Sequence, residues 1–166
     1  MTSMPPELLS YLNILAILGG NAARIAEVTA EAPPESLNTP PAAGEWSAVE
    51  ILGHLRACSD MWGGAIRRIL AEEHPTFRAV NPRTWIKKTD YLALEFSESF
   101  AAYRQQRAEL VALLRGLSAA EWERSATVVG AGKALERSVL FYADWLGRHE
   151  RAHVGQIERA VAAVRG

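Results

Sequence analysis

The stretch Trp145 to Gln156, W-L-G-R-H-E-R-A-H-V-G-Q, decides how the rest of the chain is read. His149 and His153 stand four residues apart, just over one helical turn, so both imidazoles leave a helix from one face. That face is also the apolar one. Towards the N-terminus it carries Leu146, Tyr142 and Val139, and towards the C-terminus Ile157, Ala160 and Val164, at the three-and-four spacing of a core-facing stripe. Two polar rings thus occupy positions where a bundle core would take leucine. A buried polar ring costs free energy unless it finds a partner, and neutral imidazole is the commonest metal ligand. Two such rings on an inner face point to a metal ion. The competing reading is a chance pair on a solvated face, because short motifs recur without function. The apolar setting argues against it, and so does a third histidine upstream.

Outward from this stretch, the last helix runs from about Lys133 or Leu135 to Val164. Thr127 to Lys133, with Val128-Val129 and two glycines, reads as irregular or briefly extended. Ser118-Ala-Ala-Glu121 is a capping box that opens a short helical turn holding Trp122. A third helix is expected from about Asp90 to Leu117, carried by Leu92, Phe96, Phe100, Tyr103, Leu110, Leu114 and Leu117. Pro75 to Thr89 reads as a connection, with Asn81-Pro82 as a turn and Trp85 as a plug. The second helix starts at another capping box, Ser47-Ala-Val-Glu50, and runs to about Glu72, where His74-Pro75 closes it. His54 lies on its broad apolar face between Ile51 and Cys58, with Glu50 one turn earlier.

Glu31 to Gly44 is a proline-bearing connection, long for a compact bundle. The first helix opens at Pro5-Pro6 and runs to about Val28 on a stripe of Leu8, Leu9, Leu12, Leu15, Leu18 and Ile25. Gly19-Gly20 within it marks a kink or a close approach. Four long amphipathic segments without alternating strands describe an all-α four-helix bundle, one domain over residues 1–166. The first and third connections are long enough for crossovers, so a simple up-down-up-down order does not follow.

Composition excludes several function classes. Apolar residues make up 49% and charged residues 22%, as in an ordinary globular protein. With 18 basic and 19 acidic side chains and no basic tract, nucleic-acid binding is not expected. The apolar run Leu8 to Leu18 is too short to span a bilayer and is broken by Asn13, and the first residues lack the features of a signal peptide. Cys58 is the only cysteine, which rules out an internal disulfide and suits a reducing cytoplasm.

Two segments together carry a family resemblance. Gly44-Glu-Trp46-Ser47-Ala-Val-Glu50-Ile-Leu-Gly-His54-Leu, followed by His149-Glu-Arg-Ala-His153-Val-Gly-Gln156-Ile, resembles the DinB/YfiT-like family of metalloenzymes, over most of the chain. The resemblance implies a four-helix bundle of unusual connectivity. It implies a divalent metal, zinc or nickel, held by one histidine from the second helix and two from the fourth: His54, His149 and His153. Three protein ligands leave a position open, the pattern of a catalytic site rather than a closed structural one.

The resemblance also implies small-molecule chemistry. Members transfer low-molecular-weight thiols such as bacillithiol or mycothiol to electrophiles, or isomerise maleylpyruvate with a thiol cofactor, and relatives are often homodimers. The leading expectation is a metal-dependent thiol S-transferase acting on small electrophiles. The alternatives are a metal-dependent hydrolase and a non-catalytic, metal-stabilised dimeric bundle. Gln156 shares the face of the histidines and is a candidate to orient them or bind substrate. Glu50 could orient His54 or accept a proton, although its capping box already accounts for it. Tyr142 could line a pocket or simply pack in the core. Cys58 reads as a small buried hydrophobe before a metal ligand, and Arg148 and Arg151 point away from the histidine face.

Overall fold

The computed structural model describes residues 6–165. The expectations for Pro5 and for the side chains of Leu8 and Leu9 lie outside the described residues. Helix α1 (Pro6–Thr29) buries Tyr11, Ile14, Leu18, Asn21 and Ile25 at helical spacing. This line is rotated from the expected one, and Leu12 is left 44% exposed. The helix passes unbroken through Gly19-Gly20, and a methyl group on either would meet open space, so the pair marks no close packing. The first connection contains a short helix, α2 (Pro34–Asn38), which buries Leu37.

Helix α3 (Ala48–Cys58) opens on the expected box: the Glu50 amide donates to Ser47 Oγ, and the Ser47 amide donates to Glu50 Oε2. The rod then widens through a π-helical turn, Ser59–Gly63, and continues as α4 (Gly64–Ala71). Wide turns of this kind are rare and often sit beside functional sites. Beyond His74, which adopts a left-handed φ of 43°, the chain forms β1 (Thr76–Arg78), α5 (Pro82–Trp85) and a 3₁₀ turn, Ile86–Lys88. Helix α6 (Phe96–Arg115) starts later than expected. The Tyr91 hydroxyl donates to Asp60, which draws this segment off the α6 axis, and Leu92 ends 52% exposed rather than on a helical stripe. After α7 (Ala119–Trp122) come β2 (Ser125–Val129), β3 (Leu135–Ser138) and α8 (Val139–Arg165).

The sheet is the departure from an all-α reading. β1 runs parallel to β2, and β2 antiparallel to β3, with Thr76 opposite Thr127 and Thr127 opposite Glu136. The β2–β3 turn uses Gly130 and Gly132 at φ of 91° and 88°, where a side chain would be strained.

Contacts between the long helices give their order. Asn21 donates to Gly147 O, and Arg24 pairs with Glu158, so α1 and α8 run parallel. Trp46 packs near His153 and Trp62 near Trp145, so α3 and α8 are antiparallel. Arg56 reaches Ser99, and Asp60 reaches Gln106 on the next turns, so α3 and α6 are parallel. The bundle is therefore up-down-down-up, with α1 and α3 across a diagonal, and the segment between α4 and α6 must carry the chain back along the bundle. Two apolar clusters form the interior, one around Leu18, Ile66, Leu114, Trp122 and Leu146, the other around Ile25, Leu52, Leu55, Tyr103 and Ile157. Between them lies a polar belt of Asn21, Ser59, Arg107 and Glu150. Among the described residues no helix is long and apolar enough to cross a membrane.

Candidate metal centre

His54 comes from the middle of α3, and His149 and His153 from successive turns of α8, where the two antiparallel helices face each other. The three rings meet, with centroids 4.6 to 5.2 Å apart. Nε2 of His54 lies 3.4 Å from Nε2 of His149, and one nitrogen from each ring falls within 4.8 Å of the others. Trp46 lies nearly parallel to His153 at 6.3 Å, and Trp62 stands edge-on to His149 at 5.1 Å. Aromatic walls thus restrict the rings to a narrow set of orientations.

The donor set suits a divalent ion. Burial, reinforced by the neighbouring His153 and His149 and by the Arg83 guanidinium, holds His54 down at about 4. Burial and His153 do the same to His149, also at about 4. Both rings are therefore neutral at pH 7 and keep a lone pair. Nδ1 of His153 lies 2.8 Å from Gln156 Oε1. An amide oxygen only accepts, so this bond assigns the proton to Nδ1 and leaves Nε2 free as a ligand. Nδ1 of His149 is buried with no hydrogen-bond partner among the described residues. Ring nitrogens that face each other, as those of His54 and His149 do, are costly to bury without a shared cation.

A cavity of about 890 Å³ opens onto the imidazoles. Trp46, Glu50 and Gln156 line one part of it, and Arg83, Ile86 and Leu92 another. Gln156 stands where the sequence placed it. Glu50 lines the cavity, while its Oε2 closes the capping box. Tyr142 does not reach this cavity. Seven residues before His149 put it about 10 Å back along α8, where it packs on Phe77 and Phe141 and lines a separate cavity of about 390 Å³. Cys58 is fully buried with Sγ 3.6 Å from His54 Nε2, and burial pushes its thiol well above the usual range. Arg148 and Arg151 are exposed, and Arg148 pairs with Asp144.

Three features escaped the sequence. The first is the strap of residues 79–95, which brings Arg83, Ile86 and Leu92 over the site. Asp60, in the π-helical turn, fastens it by accepting from Trp85 Nε1 at 3.1 Å and Tyr91 Oη at 2.6 Å, while Gln106 Nε2 donates at 2.7 Å from α6. Burial and Asp60 push the Tyr91 phenol up to about 12. The second is Gly53, beside His54: a Cβ there would lie 3.0 Å from Leu92 Cδ2, so the strap rests directly on α3. The third is the buried Arg107–Glu150 pair. Its signal was present, since Glu150 lies on the Leu146–His153 stripe and Arg107 on the Tyr103–Leu110 stripe.

Comparison with known proteins extends these observations. A family model described as the DinB superfamily matches residues 18–157. A protein of Geobacillus kaustophilus named "Putative metal-dependent hydrolase" is 28% identical over 133 residues, covering 75% of this chain and 71% of its own. One of the same name from Oceanobacillus iheyensis is 32% identical over 124 residues, covering 72% and 69%. The solved structure of YfiT from Bacillus subtilis, described as a probable metal-dependent hydrolase with an unusual four-helix bundle topology, superposes with a TM-score of 0.69. At 21% identity over 96% of this chain and 90% of that one, it speaks for the fold alone. The family match runs from α1 deep into α8 and takes in His54, His149, His153 and Gln156, and on that span the chain belongs to the DinB superfamily.

Proposed function

We propose that this protein is a metal-dependent hydrolase of small molecules, with His54, His149 and His153 holding a divalent ion, zinc or nickel. The observation that carries the reading is the convergence of three imidazole nitrogens at an open cavity. A divalent ion held there would polarise a substrate oxygen and make a bound water or thiol far more acidic than in bulk. The protein's own groups have distinct parts. Gln156 holds His153 in the tautomer that presents Nε2. Trp46 and Trp62 fix the ring planes. Glu50 lines the cavity with Oε1 outside any hydrogen bond among the described residues, and so can accept a proton.

The family resemblance ranks thiol transfer ahead of hydrolysis. The names borne by the relatives and a carboxylate in the lining of the same cavity favour hydrolysis, because water needs a base more than a thiol does.

Metal analysis of the purified protein should find a divalent ion that His149→Ala loses. Esters, lactones, amides and phosphoesters should be assayed beside a glutathione-like thiol with a model electrophile. Metal-dependent turnover in the first set, reduced by Glu50→Gln, is the expected result. Turnover confined to the thiol assay would convert the reading to a transferase. A wild-type protein that binds no divalent metal would end it.

A further inference from the structure

We propose that Arg83 is the specificity-determining residue of this cavity, and that the molecule it admits is a small organic anion, a carboxylate or a phosphate ester, with an apolar body. The inference rests on the reading of the cavity as a substrate site. Arg83 lines that cavity with the three histidines. Its guanidinium lies 5.9 Å from the Trp46 ring, which also flanks His54 and His153. Among the described residues it makes no ion pair and no side-chain hydrogen bond. Arg83 is the arginine that lines this cavity among the described residues, whereas Arg56 is engaged with Ser99 and Tyr91, Arg68 with Glu72, and Arg107 with Glu150. An arginine offers a rigid fork of donors matched to carboxylate and phosphate oxygens.

Arg83 is exposed, but the backbone that carries it is held in place. Its amide is capped by Asn81 Oδ1, two residues later Trp85 is tied to Asp60, and the strap lies against Gly53, the residue before His54. The backbone that carries the cation is therefore fixed beside the histidines, and the exposed side chain reaches over Trp46. Ile86 and Leu92 of the strap and Trp46 opposite supply the apolar wall. Two carboxylates share the cavity. Glu50 has one oxygen held in its capping box, and Glu45 sits towards Gln156 and Arg159, where it also borders a neighbouring hollow, so neither forms an ion pair with Arg83 among the described residues.

The test compares benzoate with benzamide, near-isosteres that differ in charge, titrated by calorimetry and by tryptophan fluorescence. It uses the metal-loaded protein, the metal-free protein, and His149→Ala, so that a carboxylate bound by the ion cannot pass for one bound by Arg83. In all three forms benzoate should bind about tenfold more tightly than benzamide, about 1.4 kcal/mol. Arg83→Gln should abolish the preference and leave benzamide binding within about twofold, Arg83→Lys should restore part of it, and rising salt should weaken it. Unchanged melting temperatures separate this from a structural effect. A preference that survives Arg83→Gln, or that vanishes on metal removal with Arg83 intact, overturns the proposal. So does a wild type that does not bind benzoate. Absence of metal binding, by contrast, removes the hydrolase reading while the Arg83 comparison still stands on the metal-free protein.

Discussion

His149 and Glu150 are consecutive on α8, yet one looks towards a cavity and the other into a sealed polar belt. Glu150 is 0% exposed and is met by opposite charge: Arg107 Nη2 donates to its Oε1 and, at 2.8 Å, to Ser59 Oγ. Asn21 Nδ2 donates to its Oε2 at 3.3 Å. Burial pushes the Glu150 carboxyl up, and Arg107 and Asn21 pull it part of the way back. His149 faces no carboxylate. Its Nε2 meets the Nε2 of another histidine, and its Nδ1 meets nothing among the described residues. Arg107 Nε and Nη1 also lack a hydrogen-bond partner among the described residues, so what separates the belt is its charge: opposite charges that neutralise each other are structural. Polar groups that converge with the same need describe a ligand.

The comparison predicts opposite responses to truncation. Glu150→Ala or Arg107→Ala strands a buried charge and should cost about 3–5 kcal/mol, read from urea or thermal unfolding. Replacing both with apolar residues of similar volume should recover most of that loss. His149→Ala should leave the metal-free protein within about 1 kcal/mol of wild type, because removing one of several crowded neutral rings strands no charge. Equal losses at positions 149 and 150 would erase the distinction between the two regions.

Part of this was legible in the chain and part was not, for physical reasons. Both capping boxes, Ser47–Glu50 and Ser118–Glu121, are local devices and form as read. The three histidines were readable because helical spacing places each on an apolar stripe. The sheet was not, since strands of three to five residues are too short to show alternation and exist only by pairing with one another. Leu12 and Leu92 were misplaced for a related reason: apolar identity alone does not say which side of a helix meets the bundle, or that Asp60 pulls Tyr91 aside. Arg83 could not be found, because its place depends on hydrogen bonds from Trp85 and Tyr91 to a residue at least 25 positions away. Glu150 could have been found, as a carboxylate on a buried line is itself a signal that a cation faces it.

The histidine side of the comparison sharpens at Gln156. Gln156→Leu removes the acceptor that holds His153 Nδ1, and metal affinity should fall about 10–100-fold with little change in the metal-free protein. Gln156→Glu should bind at least as well as wild type. An unchanged affinity in the leucine variant, measured by competition with a chromogenic chelator, would mean that the tautomer is set elsewhere.

Acid provides a smaller effect with a defined sign. His54 and His149 fall from an ordinary 6.5 to about 4 in the folded protein. The unfolded chain therefore binds more protons between these values, and stability rises with pH across the window. This contribution is fully present above about 6.5 and is lost as pH falls towards 4. With water of the open cavity screening the rings, the two together should amount to about 1–2 kcal/mol. Urea midpoints of metal-free wild type and a His54→Gln, His149→Gln double variant isolate it from the carboxylates that also titrate in acid. Wild type should lose ground to the variant as pH drops from 7 to 4.5. A constant gap would show that the fold does not hold these rings neutral.

Cys58 should show the smallest effect, and it tests where the metal centre ends. Its sulfur lies 3.6 Å from His54 Nε2, close enough for a soft ligand to be imagined, yet it does not join the cluster of three nitrogens. Only a thiolate ligates well, and here burial, with Glu150 adding to it, keeps the thiol protonated. The side chain should behave as a packing group. Cys58→Ala should change metal affinity by less than about threefold and stability by about 1 kcal/mol, the cost of a small buried void. Thiol reagents should react with native protein no faster than it opens. A tenfold loss of affinity in Cys58→Ala, or a sulfur-to-metal charge-transfer band in the cobalt-loaded wild type, would make the centre a mixed nitrogen–sulfur site and would require Glu150 to repel a thiolate that the ion had already stabilised.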